Sequence, residues 1–193
     1  MRAVLLAHCG QPPVVGDRET PVPADGQRRI RVTAAPIIPL DLLCASGTSY
    51  FGVPATPYIP GVQGVGELDD GTAVWFATTA GMRPGDGSMA EYAVAGPSDM
   101  VALPDGVDHR LVAALGLSAV AAYQALTWRG GLQPGEQVLV LGAGGVVGQV
   151  AVQAARLRGA RRVVAACRSA ASQARARMRV ACWWVLPAWM WRS

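Results

Sequence analysis

The apolar positions of this 193-residue chain change their rhythm beyond its middle. Up to about residue 106 they fall in short apolar or alternating runs, at 2–7, 28–35, 61–68, 72–77, 90–95 and 100–103. Alternation over a few residues is the pattern of a strand with one buried face. Gly and Pro punctuate these runs at Pro21-Val22-Pro23, 57–61, Asp69-Asp70-Gly71, Pro84-Gly85 and Pro104-Asp105-Gly106; such residues supply the backbone angles that turns require. Many short strands with tight turns predict a small barrel. Residues 41–46 predict a short helix. Asp108 is placed to cap a longer one running to about Trp128, with Leu111, Ala114, Leu115, Ser118, Ala122, Ala125 and Leu126 on its inner face.

After the turn Gly130-Gly131-Leu132-Gln133-Pro134-Gly135 the pattern becomes strand, glycine-rich turn, helix, strand. Residues 138–141 are an apolar strand that runs straight into Gly142-Ala143-Gly144-Gly145-Val146-Val147-Gly148. Val147, Val150, Ala151, Ala154 and Leu157 then recur at helical spacing, and residues 162–166 form a second apolar run. This is the start of a dinucleotide-binding βαβ unit. Glycines 142, 145 and 148 allow a sharp turn and a close backbone approach to a pyrophosphate, whose charge meets the free N–H groups of the helix start. The residues from Gly142 to Gly148 are therefore the candidate NAD(P) loop; the competing reading is an ordinary strand–turn–helix without a ligand. NAD-selective sites place an acid at the end of the second strand. Here the strand runs into Cys167-Arg168-Ser169, with no acid nearby. Arg168 can pair with a 2′-phosphate and the Ser169 hydroxyl can donate to it, which predicts NADPH over NADH. The competing reading of Arg168 is a solvated loop charge.

Composition narrows the class. Hydrophobic residues make up 51% of the chain, so a buried core is feasible. No apolar run reads as long enough to span a bilayer. The start, Met1 to Ala7, is too short for a signal sequence and lacks a cleavage pattern, so it reads as the first strand of a cytoplasmic protein. Cys9, Cys44, Cys167 and Cys182 are widely separated, which argues against disulfides in that compartment. His8 and Cys9 are adjacent and point to opposite faces of a strand, and His109 sits at a helix entry, so no zinc site is expected. All 17 basic residues are arginine. Residues 1–136 hold eight of them against 13 acids, net −5, whereas residues 137–193 hold nine and no acid, net +9. A basic, Trp-containing end raises nucleic-acid or membrane-surface binding as a reading, but the final residues show no clean helical face and Pro187 interrupts them. Neither nucleic acid nor membrane is the expected partner.

Met1-Arg2-Ala3-Val4, Pro60-Gly61-Val62-Gln63-Gly64-Val65-Gly66, Gly87-Ser88-Met89-Ala90-Glu91-Tyr92-Ala93-Val94, Leu132-Gln133-Pro134-Gly135-Glu136 and the nucleotide loop together resemble the zinc-independent, quinone oxidoreductase-like branch of the medium-chain dehydrogenase/reductases. The resemblance covers residues 1 to about 177. It implies an α/β plus β-barrel architecture: a GroES-like barrel over residues 1–125, then the first βαβ unit of an incomplete Rossmann domain over residues 126–177. It implies hydride transfer from NADPH to a quinone, enone or related carbonyl, without zinc, in a protein whose relatives are often homodimers. Where the zinc-dependent branch has a ligand Cys, this chain has Ile38; where it has Gly-His-Glu, this chain has Gly61-Val62-Gln63. The candidate substrate-pocket residues are Tyr50, as hydrogen-bond donor, and Asp41, as orienter of the loop. A loop aromatic packing on the barrel is the competing reading of Tyr50. The chain departs from the family's usual pocket at Ile38, Leu43 and Ala121.

Residues 178–193 break the pattern and carry four of the six tryptophans. The expectation is a frameshift near Arg177: shifting the frame by one base converts the tail into a helix stop and a third short strand. Only the first two Rossmann strands are then expected in this frame, with the outer edge of residues 138–141 bare, and activity is expected to be impaired. The alternative is a non-enzymatic remnant or interaction module that keeps a partial nucleotide site.

Overall fold

A computed structural model describes residues 1–178 and the backbone of Trp184–Leu186. Residues 179–183 and 187–193, most of the Trp-rich tail, lie outside the described residues. The chain divides into two compact units, Met1–Gly116 and Leu117–Ser193.

In the first unit, β1 (Arg2–Leu5) pairs antiparallel with β2 (Val14–Asp17). The strand β2 went unread because Pro12-Pro13 precedes it and both Val14 and Val15 are exposed, which removes the alternation. A five-stranded antiparallel sheet follows, built from β3 (Arg28–Ala34), β4 (Gln63–Leu68), β5 (Ala73–Ala77), β6 (Tyr92–Ala95) and β7 (Met100–Ala102) in the order β6-β3-β4-β5-β7. These strands coincide closely with the predicted runs. Ile30, Val74 and Phe76 are almost completely buried on one face of this sheet, with Ala93 and Ala95 packed beside them. A side chain such as Phe76 contributes about 1.5–3 kcal/mol by that burial. A second cluster joins Leu6, Tyr58 and Ala80, where residue 6 bridges residue 58 in both directions (N···O 3.0 and 3.3 Å). The helix α1 (Pro39–Ser46) starts at a proline, whose fixed φ suits a first helical turn, and stops at Gly47, which takes the left-handed φ of 74°.

The helix α2 (His109–Gln124) is capped by Asp108, whose Oδ1 accepts from the Arg110 amide at 2.8 Å. Its buried positions are Ala113, Gly116 and Ala122, whereas Leu111 and Ala114 of the predicted inner face are exposed. The reason is a break: Gly116 has φ 20° and ψ −116°, so the 3.6-residue period restarts there. A single turn of π-helix, Ala125–Arg129, continues α2. By length and composition the stretch His109–Arg129 is long and apolar enough to cross a membrane, contrary to the expectation that no segment is. The break at Gly116 leaves each side short of the ~20 continuous helical residues that a span requires.

The second unit contains β8 (Gln137–Leu141), α3 (Val146–Leu157), β9 (Arg162–Ala166) and α4 (Ala170–Met178). A third strand, β10 (Trp184–Leu186), pairs parallel with β9, giving the order β10-β9-β8. This corrects the expectation of two strands only, and the order is the 3-2-1 half of a doubly wound sheet. The face of α3 toward the sheet is Gly148, Val152 and Ala155, with Ala151 and Ala154 beside it; Val147 and Leu157 of the predicted stripe are exposed. Val140, Val152, Ala155, Val163 and Ala165 form the core of this unit.

Candidate functional site

The glycine turn after β8 begins with Gly142 at φ +70°, a left-handed angle that glycine alone adopts without cost. The amides of Gly142 and Ala143 both donate to the Ala166 carbonyl, at 3.0 and 3.2 Å, so the turn is tied to the end of β9. The amide of Gly145 closes the turn on the Gly142 carbonyl at 3.0 Å, and Gly145 then serves as N-cap of α3. The first amides of α3, at Val146 and Val147, precede any intrahelical acceptor and project from the positive end of the helix.

Each glycine of the loop meets a different surrounding. A Cβ on Gly148 would sit 2.4 Å from the Gly142 carbonyl oxygen and 2.6 Å from the Ala143 Cα, so this glycine lets α3 press against the turn. A Cβ on Gly144 would lie 2.5 Å from the Ser172 Cβ and 2.8 Å from its Cα, which ties the turn to α4. At Gly145 the nearest atom would be 3.4 Å away, and this residue faces a cavity of about 510 Å³. Leu141, Gly142, Gly144, Ala166, Arg168 and Ser172 line the same cavity, and no acidic side chain is among its lining residues. The structure thus brings the predicted loop and Arg168 to one cavity. Arg168 is exposed and has no ion-pair or hydrogen-bond partner among the described residues.

Ser169 is spent differently. Its Oγ accepts from the Ser172 amide at 3.2 Å, an N-cap for α4, and contacts the Ser172 Oγ at 3.0 Å. Sequence reasoning missed the next links. Arg175 donates from Nε to the Gly144 carbonyl at 3.2 Å and from a terminal nitrogen to the Ser172 Oγ at 3.0 Å. The spacing Ser169-x-x-Ser172 was a readable helix-start signal; the return of Arg175 to a residue 31 positions earlier is tertiary and leaves no local trace.

In the first unit, Asp41 is buried at 5% exposure. Its two oxygens accept from the Ile38 amide at 2.9 Å and the Val62 amide at 3.0 Å. It thereby closes the first turn of α1 and holds the Gly61-Val62 segment. Burial raises its pKa above the ordinary aspartate range, opposed by the amides of Ile38, Val62 and Gly61. Tyr50 is 78% exposed at the tip of a turn made by Ser49, its ring centroid 4.4 Å from that of Phe51. No hydrogen bond joins Tyr50 to Asp41 among the described residues. Gln63 was not read as a site residue; it is 1% exposed and its Oε1 accepts from the Trp75 indole at 2.9 Å, while Ser88, also buried, donates to its carbonyl. Tyr58 is buried with an unpartnered hydroxyl, and burial beside Cys44 pushes its pKa up to about 12. Among the described residues no group of three His, Cys, Asp or Glu side chains could hold a metal ion.

No model of a protein family matches the chain. Quinone oxidoreductase of Pongo abelii is 38% identical over 173 residues, covering 82% of this chain and 50% of that protein. Quinone oxidoreductase of Homo sapiens is 36% identical over 172 residues, with 82% and 50% covered. Among solved structures, the quinone oxidoreductase of Thermus thermophilus, whose complex with NADPH is also known, superposes with a TM-score of 0.77 at 31% identity, over 89% of this chain and 54% of that one. The chain spans about half the length of the curated relatives it matches. It belongs to the quinone oxidoreductase-like medium-chain dehydrogenase/reductases.

Proposed function

We propose that the chain carries the nucleotide-binding loop and the substrate-side segment of an NADPH-dependent oxidoreductase that passes hydride to a quinone, enone or related carbonyl. The observation that carries this reading is the cavity at the start of α3, open at Gly145, free of acids and bordered by Arg168. The residues fit a dinucleotide: a left-handed Gly142 turns the chain, Gly145 leaves room for a pyrophosphate against the backbone, and the Val146 and Val147 amides supply donors. Arg168 pairs with a 2′-phosphate, and in this reading Ser169 contributes through its cap of α4. When bound, the nicotinamide supplies the hydride. Tyr50 is the proposed donor to the carbonyl oxygen, and Asp41 positions the segment that carries it. The chemistry is assigned without zinc, because Ile38 stands where the metal-dependent relatives are expected to have a ligand Cys, and Gly61-Val62-Gln63 where they are expected to have Gly-His-Glu.

In this reading residues 1–125 form a GroES-like domain, residues 126–177 the start of a Rossmann domain, and residues 178–193 depart from the family's pattern. A homodimer in the cytoplasm is the matching expectation.

The test is a fluorescence titration of the chain with NADPH and NADH, with and without Arg168→Ala. The reading requires tighter binding of NADPH, and a loss of that preference in the variant of about tenfold, the worth of one charge-assisted contact. Equal affinity for both nucleotides in the unmodified chain would rule out the NADPH assignment. A second reading, a nucleotide-binding module without turnover, draws support from β8: it is an edge strand whose Leu139 and Leu141 are exposed. Oxidation of NADPH by a soluble quinone separates the two.

A further inference from the structure

We infer that Arg175 is a second guanidinium of the 2′-phosphate subsite and helps set the preference for a phosphorylated nucleotide; this rests on the nucleotide-binding reading above. Arg168 and Ser172 are among the residues that line the cavity at the glycine turn. Arg175, from the same face of α4, donates to the Ser172 Oγ at 3.0 Å and so stands one hydrogen bond behind that lining. Its second contact, Nε to the Gly144 carbonyl at 3.2 Å, fixes the guanidinium against the loop. A guanidinium has five N–H donors in a planar fork, so these two contacts leave donors for an anion.

The chemistry around it favours a dianion. Residues 137–193 contain no acidic side chain, so neither arginine is neutralised from its own stretch of chain. The Ser172 hydroxyl lines the cavity and accepts from both Arg175 and the Ser169 hydroxyl, 3.0 Å away, so its own proton is left to donate to an anion. A monophosphate ester bears close to two charges at neutral pH and three acceptor oxygens, which two guanidinium groups match better than one. A plain ribose, with two neutral hydroxyls, gains much less from a second cation. Arg175 is therefore a specificity residue for phosphate, and through Gly144 a positioning residue for the loop.

Isothermal titration of the full chain with adenosine 2′,5′-bisphosphate and with AMP separates these roles. Arg175→Gln keeps an N–H donor for the Gly144 carbonyl but removes the charge; Arg175→Lys keeps the charge but loses the fork. The expected result is a loss of about tenfold for the bisphosphate in Arg175→Gln, with AMP changed less than about twofold and Arg175→Lys in between. A parallel loss for both ligands in Arg175→Gln would reduce Arg175 to a loop tie, and no loss for either would remove it from the site; both overturn the inference. If the unmodified chain binds AMP and the bisphosphate equally, or neither, the NADPH reading itself fails, independently of Arg175.

Discussion

Replacing Gly148 by alanine puts a methyl 2.4 Å from the Gly142 carbonyl oxygen, 2.6 Å from the Ala143 Cα and 2.9 Å from the Gly142 carbonyl carbon. All three are backbone atoms of a turn already fixed by hydrogen bonds to Ala166, so no side chain can swing away. Either α3 retreats from the turn by roughly an ångström or the turn opens; overpacking of this kind costs about 1–3 kcal/mol. Alanine returns about 1 kcal/mol of helix propensity. With backbone on both sides the upper end of the cost applies, so the net loss is about 2 kcal/mol. Gly145→Ala is the control. Its Cβ meets nothing closer than 3.4 Å and its φ of −81° suits alanine, so the only expected cost is the N-cap preference for glycine over alanine, about 1 kcal/mol or less. Its methyl instead projects where a pyrophosphate must approach the backbone. Urea denaturation followed by circular dichroism, with hydrogen exchange of the β8 and α3 amides, reads the first effect; NADPH titration reads the second. The expected pattern is a destabilised Gly148→Ala and a folded Gly145→Ala that binds NADPH at least about tenfold more weakly. A Gly148→Ala protein as stable as the parent would refute the packing argument, and a Gly145→Ala protein with undiminished affinity would refute the assignment of the loop.

Asp41→Ala strands two backbone amides, that of Val62 in a fully buried segment, and should cost about 2–4 kcal/mol in denaturant titration. Because the folded pKa of Asp41 is raised, its contribution is fully present below the ordinary aspartate value of about 3.8 and declines as pH rises through the folded value; the stability gap between the parent and Asp41→Asn should narrow over that interval. Arg28→Ala breaks the 2.8 Å pair with Asp70, but both side chains are about half exposed, so the denaturation midpoint should not move measurably. An unchanged gap for Asp41 from pH 4 to 7, or a clear midpoint shift for Arg28, would count against these assignments.

Much of this architecture was legible in the sequence where local signals agree. The runs that became β3 to β7 combine alternation with Gly or Pro at each end, and β8, α3 and β9 announce themselves by an apolar strand, a glycine turn and a helical repeat. What escaped is what one residue decides for its neighbours through space. Gly116 lies in a run of good helix formers, yet it breaks α2; Ala122 is buried as expected, but before the break the buried position is Ala113 rather than Leu111 or Ala114. Gly148 widens the contact face of α3 beyond the expected Ala151 and Ala154 to Val152 and Ala155 and leaves Val147 outside it, because the helix touches where it has no side chain. At the site, Gly142, Gly145 and Arg168 were identifiable by type and spacing. Gln63, Ser172 and Arg175 were not, because their partners lie 12 to 50 residues away or across the α4 cap. The three-residue β10 is too short to show a period at all.

The uneven charge of the chain becomes intelligible at this level, and it can be tested. In the first unit the arginines of β3 are matched one by one: Arg28 with Asp70, Arg29 with Asp69 and Arg31 with Glu67. Such pairs cancel each other's field beyond a few ångströms. The stretch after Glu136 has nine arginines and contains no acidic side chain of its own. A field of that kind raises the local concentration of an anion and is screened by salt, with a Debye length of about 10 Å at 0.1 M and 3 Å at 1 M. If Arg168 meets a 2′-phosphate, the affinity for NADPH must fall more steeply with ionic strength than that for NADH, since NADPH adds close to two charges at the exposed end of the cavity. Titrating both nucleotides from about 0.05 to 1 M NaCl, a range that spans those screening lengths, gives the two slopes. Equal slopes would mean that the extra phosphate does not sense these arginines, and the charge of this stretch would then need a different partner.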